Sequence, residues 1–136
     1  MAERWHAIRL RIRSGATCGW RSTACGRRTH RRGTALRSLA ATAGARVRYV
    51  KPHGALYNMA ARDRALADAL AQAVHDLDPS LVFFGLAGSE MVHAARARGL
   101  RVAEEVFADR AYEDDGRLAA RGTPGAMIED ADAALA

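Results

Sequence analysis

The sequence is poor in cysteine and lysine, and it has no long apolar run. Its two cysteines, Cys18 and Cys25, are separated by six residues, a gap that matches no zinc-pair spacing. We therefore expect no metal site and no disulfide framework. No apolar run approaches the roughly 20 residues of a membrane-spanning helix, and the start has no apolar core of about 7–15 residues. These gaps exclude a zinc finger, a membrane span and a secretory signal.

The positive charge is concentrated at the start of the chain. Residues 1–32 hold nine arginines and one acid, whereas the rest holds 12 basic and 14 acidic residues. We therefore divide the chain into an arginine-rich segment, residues 1–33, expected to be disordered, and a folded domain, residues 34–136. Three interpretations of the first segment stay open. It is the product of a shifted reading frame or wrong start, a targeting or nucleic-acid-binding arm, or a folded unit.

Helical and extended patterns alternate after residue 33. Such an alternation predicts parallel strands joined by helical crossovers, which is an α/β fold. The polar residues 108–121 are expected to form a hairpin or an irregular loop of an active site. The pattern predicts helices over residues 34–43, 60–77, 90–98 and from 128 onward, and strands over 47–50, 81–86 and 101–107.

The stretch after the first of these strands carries candidate chemistry. Pro52 has no backbone N–H, so we expect the strand to end before it. Ligands of α/β folds bind at this carboxyl edge. Lys51, the sole lysine, can hold a carboxylate or phosphate, or it is a solvated strand end. His53 is a candidate general acid/base or metal ligand, or a structural residue, and Tyr57 and Asn58 can orient a substrate amide or cap a helix.

Glycines mark the end of the second predicted strand. Gly85, Gly88 and Ser89 lie where that strand turns into a helix, and Ser89 is a suitable N-cap. Backbone N–H groups at such a junction can bind an anion. Tight packing would also explain the glycines, and the pattern is not that of a P-loop.

Charged residues follow the third predicted strand. Glu105, Asp109, Arg110 and Tyr112 lie at and after its end. A carboxylate there can act as a base or a metal ligand, and an arginine can neutralise charge in a transition state. The alternative is an ion pair of Arg110 that only fixes the loop.

Three ordered blocks resemble one protein family. Together they are similar to the family of 5-oxoprolinase A subunits, also called the LamB/YcsF family, and the resemblance covers roughly residues 34–136. The blocks are KPHGALYN at residues 51–58, GLAGS at 85–89, and EVFADRAY at 105–112 with DG at 115–116 and RGTPGA at 121–126.

The resemblance implies a fold and an activity. The fold would be part of a (β/α) barrel-like fold of the glycoside hydrolase/deacetylase type. The activity would be hydrolysis of 5-oxo-L-proline to L-glutamate, coupled to ATP, which would phosphorylate the amide oxygen and make it a leaving group. The partners would be the B and C subunits of 5-oxoprolinase, in the cytoplasm, with no membrane partner.

The resemblance also implies which residues form the site. Family motifs expected before residue 34 are missing and further strands are expected after residue 136, so we expect a fragment whose own activity stays open. A non-enzymatic protein that binds nucleic acid through its arginine-rich start is the alternative, although we favour protein subunits as partners. The implied catalytic residues are Lys51, His53, Asp109 and Arg110, and the implied substrate-binding residues are Tyr57, Asn58, Gly85, Gly88, Ser89 and Tyr112.

Overall fold

The structure, a computed structural model, describes residues 8–10, 22–130, 132 and 134. Within these residues, four parallel strands form one sheet in the order of the chain. Sequential parallel strands require crossovers, and helices supply those that the structure describes. The strands are β1 (Ile8–Leu10), β2 (Tyr49–Pro52), β3 (Val82–Leu86) and β4 (Arg101–Glu105).

Helices cover one face of this sheet. The second helix is short and leads directly into the third, which packs on both the first and the fourth. The predicted parallel α/β arrangement with helical crossovers is confirmed. The described helices are α1 (Ser22–Thr42), α2 (Ala55–Ala60), α3 (Arg64–Leu77) and α4 (Glu90–Ala97).

The core lies between the sheet and the helices. Alternate strand residues enter it, because successive side chains of a strand point to opposite faces. Val50 of β2 and Phe83 of β3 are buried there, and Leu70 and Val74 of α3 meet them. This apolar layer fixes the position of every strand end that carries a candidate site residue.

The opposite face of the sheet carries different side chains. Tyr49 and Lys51 of β2 and Phe84 of β3 are half-buried there. The rings of Tyr49 and Phe84 are 5.2 Å apart at an angle of 53°. The register that pairs Leu86 with Glu105 places the Glu105 side chain on this same face.

Helix α1 begins earlier than the sequence predicted. Residues 22–33 were expected to belong to a disordered segment, but they are helical, and Cys25 and Thr29 are buried. Gly26 lets α1 approach α3 closely, since a Cβ there would lie 3.0 Å from the carbonyl oxygen of Ala69. The helical period was hidden by arginines on the outer face. The expectation of disorder at the other residues of 1–21 falls outside the described residues, except for the strand β1.

Pro52 and Asp63 correct two predicted boundaries. Strand β2 includes Pro52, which pairs with Leu10 of β1, whereas its pairing with β3 stops at Val50. Its missing N–H therefore interrupts no bond to β3. The helix predicted over residues 60–77 begins only at Arg64, because Asp63 caps α3 by accepting a hydrogen bond from Leu66 N at 3.0 Å, and the separate short helix α2 precedes it.

Residues 106–130 contain no regular helix or strand. Isolated antiparallel bridges join Tyr112 to Leu118 and Arg110 to Met127, around a turn that ends at Gly116. This is the irregular loop predicted for residues 108–121. The helix predicted from residue 128 does not start at 128–130, and most of the positions after that fall outside the described residues. None of the described helices is long and apolar enough to span a membrane.

Candidate functional site

Lys51 and Glu105 form an ion pair across the sheet. Lys51 lies near the end of β2 and Glu105 is the last residue of β4, so β3 runs between them. The Lys51 Nζ atom is 2.5 Å from Glu105 Oε2, and the side chains are 24% and 17% exposed. Parallel strands place their carboxyl ends at one edge, which is why residues 54 positions apart meet here.

Aromatic rings surround the ammonium group of this pair. Lys51 Nζ is 5.3 Å from the ring centroid of Phe107 and 5.9 Å from that of Tyr57. These two rings are edge-to-face with centroids 6.1 Å apart. The hydroxyl of Tyr112 accepts a hydrogen bond from Phe107 N at 2.7 Å, which fixes the loop after β4. The rings lower the local polarity and so strengthen electrostatic interactions at the ammonium.

Two polar atoms in this cluster are buried without a hydrogen-bond partner among the described residues. They are the hydroxyl of Tyr57 and the Oε1 atom of Glu105. Burial raises the pKa of Tyr57, and so do the negative charge and the nearby side chain of Glu105, although the two groups do not reach hydrogen-bond geometry. The phenol therefore stays protonated at neutral pH, where it can donate a hydrogen bond. Buried polar atoms normally have partners, so these two are candidates for contact with a ligand.

His53 and Asn58 follow Lys51 in the chain, on the segment after β2. His53 is half-buried directly after the strand, whereas Asn58 is exposed on α2. Tyr57 lies on the same short helix with its ring in the core. The structure thus brings Lys51 and Tyr57 together and places His53 beside them in the chain.

The predicted anion site at the strand–glycine–helix junction is already occupied by protein acceptors. Gly88 adopts φ 69°, and a Cβ on Gly85 would lie 3.3 Å from Met91 Cβ, so the glycines serve the turn and the packing. The hydroxyl of Ser89 is buried at the N-cap position without capping α4. The four successive N–H groups donate as follows: Ala87 to Glu105 O at 3.0 Å, Gly88 to Glu104 Oε2 at 3.1 Å, Ser89 to Leu86 O at 3.1 Å, and Glu90 to Ala61 O at 3.0 Å.

Arg110 is buried among backbone carbonyls of the irregular loop. It is 6% exposed and donates to Ala119 O at 2.5 Å and to Ala126 O at 3.3 Å. These bonds hold the loop together, and they replace the ion pair that was the alternative interpretation of Arg110. Asp109 beside it is exposed, and its backbone carbonyl accepts from Ile128 N at 3.0 Å.

Sequence reasoning placed Glu105 in a charged cluster but left it out of the expected catalytic and substrate-binding residues. The sequence does contain a pattern that points to Glu105: a carboxylate ends one parallel strand, and an ammonium group lies near the end of another. Phe107 was also missed, since it resembles an ordinary core residue in the sequence. No group of three or more histidine, cysteine, aspartate or glutamate side chains suited to a metal occurs among the described residues.

The sequence of this chain matches one family of known proteins. The sequence profile described as LamB/YcsF family matches residues 21–136, so the match begins before the predicted boundary at residue 34. The 5-oxoprolinase A subunit of Bordetella pertussis is 61% identical over 102 residues, 75% of this chain and 40% of that protein. That of Geobacillus kaustophilus is 57% identical over 101 residues, with coverages of 74% and 40%.

A solved structure shares the fold. It is that of a lactam utilization protein from Thermus thermophilus, with a TM-score of 0.78 and 38% sequence identity. The match covers 88% of this chain and 48% of that one. The four-stranded unit is thus a fragment of a LamB/YcsF-type fold. The chain spans about 40% of the length of the curated relatives it matches.

Proposed function

This chain belongs to the LamB/YcsF family, and we propose that it binds the lactam substrate of a 5-oxoprolinase. The proposed reaction is the ATP-dependent hydrolysis of 5-oxo-L-proline to L-glutamate, carried out with the B and C subunits. The names of the relatives and of the solved lactam utilization protein support the substrate class. The observation that carries the proposal is the half-buried Lys51–Glu105 pair beside the buried hydroxyl of Tyr57, which has no hydrogen-bond partner among the described residues.

The pair and the hydroxyl complement the three polar groups of 5-oxoproline. Lys51 has three N–H donors, of which the bond to Glu105 uses one, so its ammonium can also hold the substrate carboxylate. The Oε1 atom of Glu105 can accept the lactam N–H, and the protonated hydroxyl of Tyr57 can donate to the lactam carbonyl. A ligand bound in this way would give both buried atoms a partner.

The same contacts favour ring opening. When water adds to the carbonyl carbon, negative charge grows on the lactam oxygen, and a hydrogen bond from Tyr57 stabilises it. The carbon–nitrogen bond then breaks, and the nitrogen takes up a proton. We propose that the imidazole of His53 takes this proton from the attacking water and passes it to the nitrogen, because imidazole can exchange a proton near neutral pH. The roles predicted for Asp109 and Arg110 stay predictions, although the carbonyl bonds of Arg110 favour support of the loop.

ATP does not fit the described residues at the glycine junction. The N–H groups from Ala87 to Glu90 donate to protein acceptors, and the carboxylate of Glu104 occupies Gly88 N, where a phosphate would need a donor. We therefore place the ATP chemistry of the proposed reaction outside this junction and confine the role of the site to the lactam. We also propose a cytoplasmic location, which the buried free thiol of Cys25 fits because thiols stay reduced there.

Binding of 5-oxoproline to the full chain tests the proposal directly. We expect chemical-shift changes at β2 and β4 by NMR, and a loss of affinity of about 10- to 100-fold in Lys51→Met, since a hydrogen bond to a charged group contributes about 1.5–3 kcal/mol. Arg64→Met is the matched control, because Arg64 pairs with Glu90 on the exposed surface. Glutamate release with ATP and the B and C subunits should follow the same order. No binding by the unaltered chain, or equal binding by Lys51→Met, would contradict the proposal.

A further inference from the structure

Helix α1 has two faces of opposite character. Its inner face packs on α3, with Cys25 and Thr29 buried and Gly26 in close approach. Its outer face is exposed and consists mainly of arginine. We call this outer face the arginine face; its residues are Ala24, Arg27, Arg28, Arg31, Arg32 and Ala35, and they line a shallow groove of about 530 Å³.

The charge of this helix is of one sign. Ser22–Thr42 contains five arginines and no acidic residue, whereas residues 43–136 hold 11 basic and 14 acidic residues. Among the described residues, no carboxylate forms an ion pair with Arg27, Arg28 or Arg31. Like charges one turn apart destabilise a helix by a few tenths of a kcal/mol per pair, and no ion pair among the described residues offsets this cost at Arg27, Arg28 or Arg31.

The arginines form rows along the helix axis. Arg27 and Arg31 are one turn apart, and so are Arg28 and Arg32, which gives a spacing of roughly 6 Å at about 1.5 Å rise per residue. A nucleic-acid strand carries one phosphate per about 3.4 Å of axis and winds around that axis, so the successive arginines of a row can reach successive phosphates of one strand. A guanidinium group can also bind a phosphate through two parallel hydrogen bonds.

We propose that the arginine face binds the phosphate backbone of nucleic acid, without reading its sequence. The apolar face of α1 is buried against α3, so α1 cannot insert into a membrane surface as an amphipathic helix does. The regular rows favour a polymer of evenly spaced charges over a folded acidic protein. This binding is independent of the proposed lactam site, since the arginine face lies on the outer side of the helix layer and the Lys51–Glu105 pair on the opposite face of the sheet.

Salt-dependent binding of the full chain to labelled DNA duplexes of about 20 base pairs tests this inference. We expect equal affinity for two unrelated sequences and a linear fall of log affinity with log salt concentration. Replacing Arg27 and Arg31 by alanine removes two phosphate contacts, so the slope should become shallower by about 2 and the affinity should fall at least about tenfold at low salt. Arg62→Ala with Arg121→Ala is the charge-matched control, because both side chains lie elsewhere on the surface, and it should leave the slope unchanged.

Three results would overturn the inference. The first is no binding of duplex at low salt by the unaltered chain. The second is an equal change of slope in the two double variants, which would assign binding to net charge. The third is equally tight binding of polyglutamate that is equally sensitive to Arg27→Ala and Arg31→Ala, which would indicate an acidic protein partner. Unchanged helical circular dichroism confirms that the variants fold, and unchanged 5-oxoproline binding separates this face from the lactam site.

Discussion

The helix-covered face of the sheet and the opposite face are formed by alternate residues of the same strands, yet they differ in packing. Phe83 is fully buried under the helices, whereas its neighbour Phe84 is half-buried on the other face beside Tyr49. The first face holds the apolar core, and the second holds the Lys51–Glu105 pair. Folding stability is thus concentrated on one face, which leaves the other face able to carry groups selected for chemistry.

The ion pair is poorly explained as a stabilising device. A half-buried pair loses much of its hydration, and well-packed apolar residues of similar volume are often as stabilising or more so. Glu105 also has one buried oxygen without a hydrogen-bond partner among the described residues, which adds a desolvation penalty. The contrast with the apolar face therefore favours a functional interpretation of Lys51 and Glu105.

Substitutions of Phe83 and Phe84, neighbours in β3, compare the packing of the two faces of the sheet. Phe83→Ala should lower the free energy of unfolding by about 3–5 kcal/mol, because it removes a fully buried ring and leaves a cavity. Phe84→Ala should lower it by only about 1 kcal/mol, since it loses one tilted ring contact at the partly exposed face. Urea denaturation of both variants measures the difference. Where Phe83→Ala does not fold, Phe83→Leu replaces it. Equal losses would mean that both faces are packed alike.

A smaller effect is expected at the contact between α1 and α3. Gly26→Val should destabilise the fold by about 1–3 kcal/mol, because its side chain would push against the backbone of Ala69. Ala24→Val introduces the same side chain on the outer side of α1 and should cost only about 0.5 kcal/mol of helix propensity. Urea midpoints compare the two. Equal, small shifts would mean that residues 22–33 do not dock on α3 in solution.

Much of the fold could be predicted from hydrophobic pattern alone. The continuous apolar run at residues 81–86 predicted a strand buried on both faces, and β3 occupies 82–86, but Val82 and Phe84 are only half-buried. The boundaries were less accurate where a local interaction overrides the pattern. Asp63 caps α3, so this helix begins at Arg64 and not at residue 60 as the apolar pattern predicted. Residues 22–33 were missed because their arginines concealed a narrow inner face of small residues, Cys25, Gly26, Thr29 and Gly33.

The site was predicted less completely than the fold. Lys51 could be singled out because it is the sole lysine and lies near the end of a strand. Its partner could not be identified, because sequence spacing does not show which of Glu104 and Glu105 points to the face of Lys51. The strand register decides this, since Glu104 lies on the helix side with Arg96 and Gly88. The role of Arg110 was equally hidden, because its acceptors are backbone carbonyls.

The phenol of Tyr57 changes the pH dependence of folding stability only in alkaline solution. Burial and the Glu105 carboxylate raise the pKa of Tyr57 in the folded chain above its unfolded value of about 10. Below a pH of about 10 both states keep the phenol proton, so the group adds no pH dependence. Above that pH the unfolded chain releases the proton and the folded chain keeps it, so stability should fall by about 1.4 kcal/mol per pH unit.

Denaturation midpoints at a pH of about 9, 10 and 11 measure this slope. Tyr57→Phe should abolish the part of the slope that comes from this phenol, whereas Tyr49→Phe, which removes a hydroxyl from the same sheet face, should leave that part in place. Binding of 5-oxoproline should also weaken in Tyr57→Phe, because the donor to the lactam carbonyl is lost. An unchanged alkaline slope in Tyr57→Phe would show that the hydroxyl is solvated in solution. The face that carries Lys51 would then have no buried hydroxyl donor at Tyr57, and it would differ less from the apolar face.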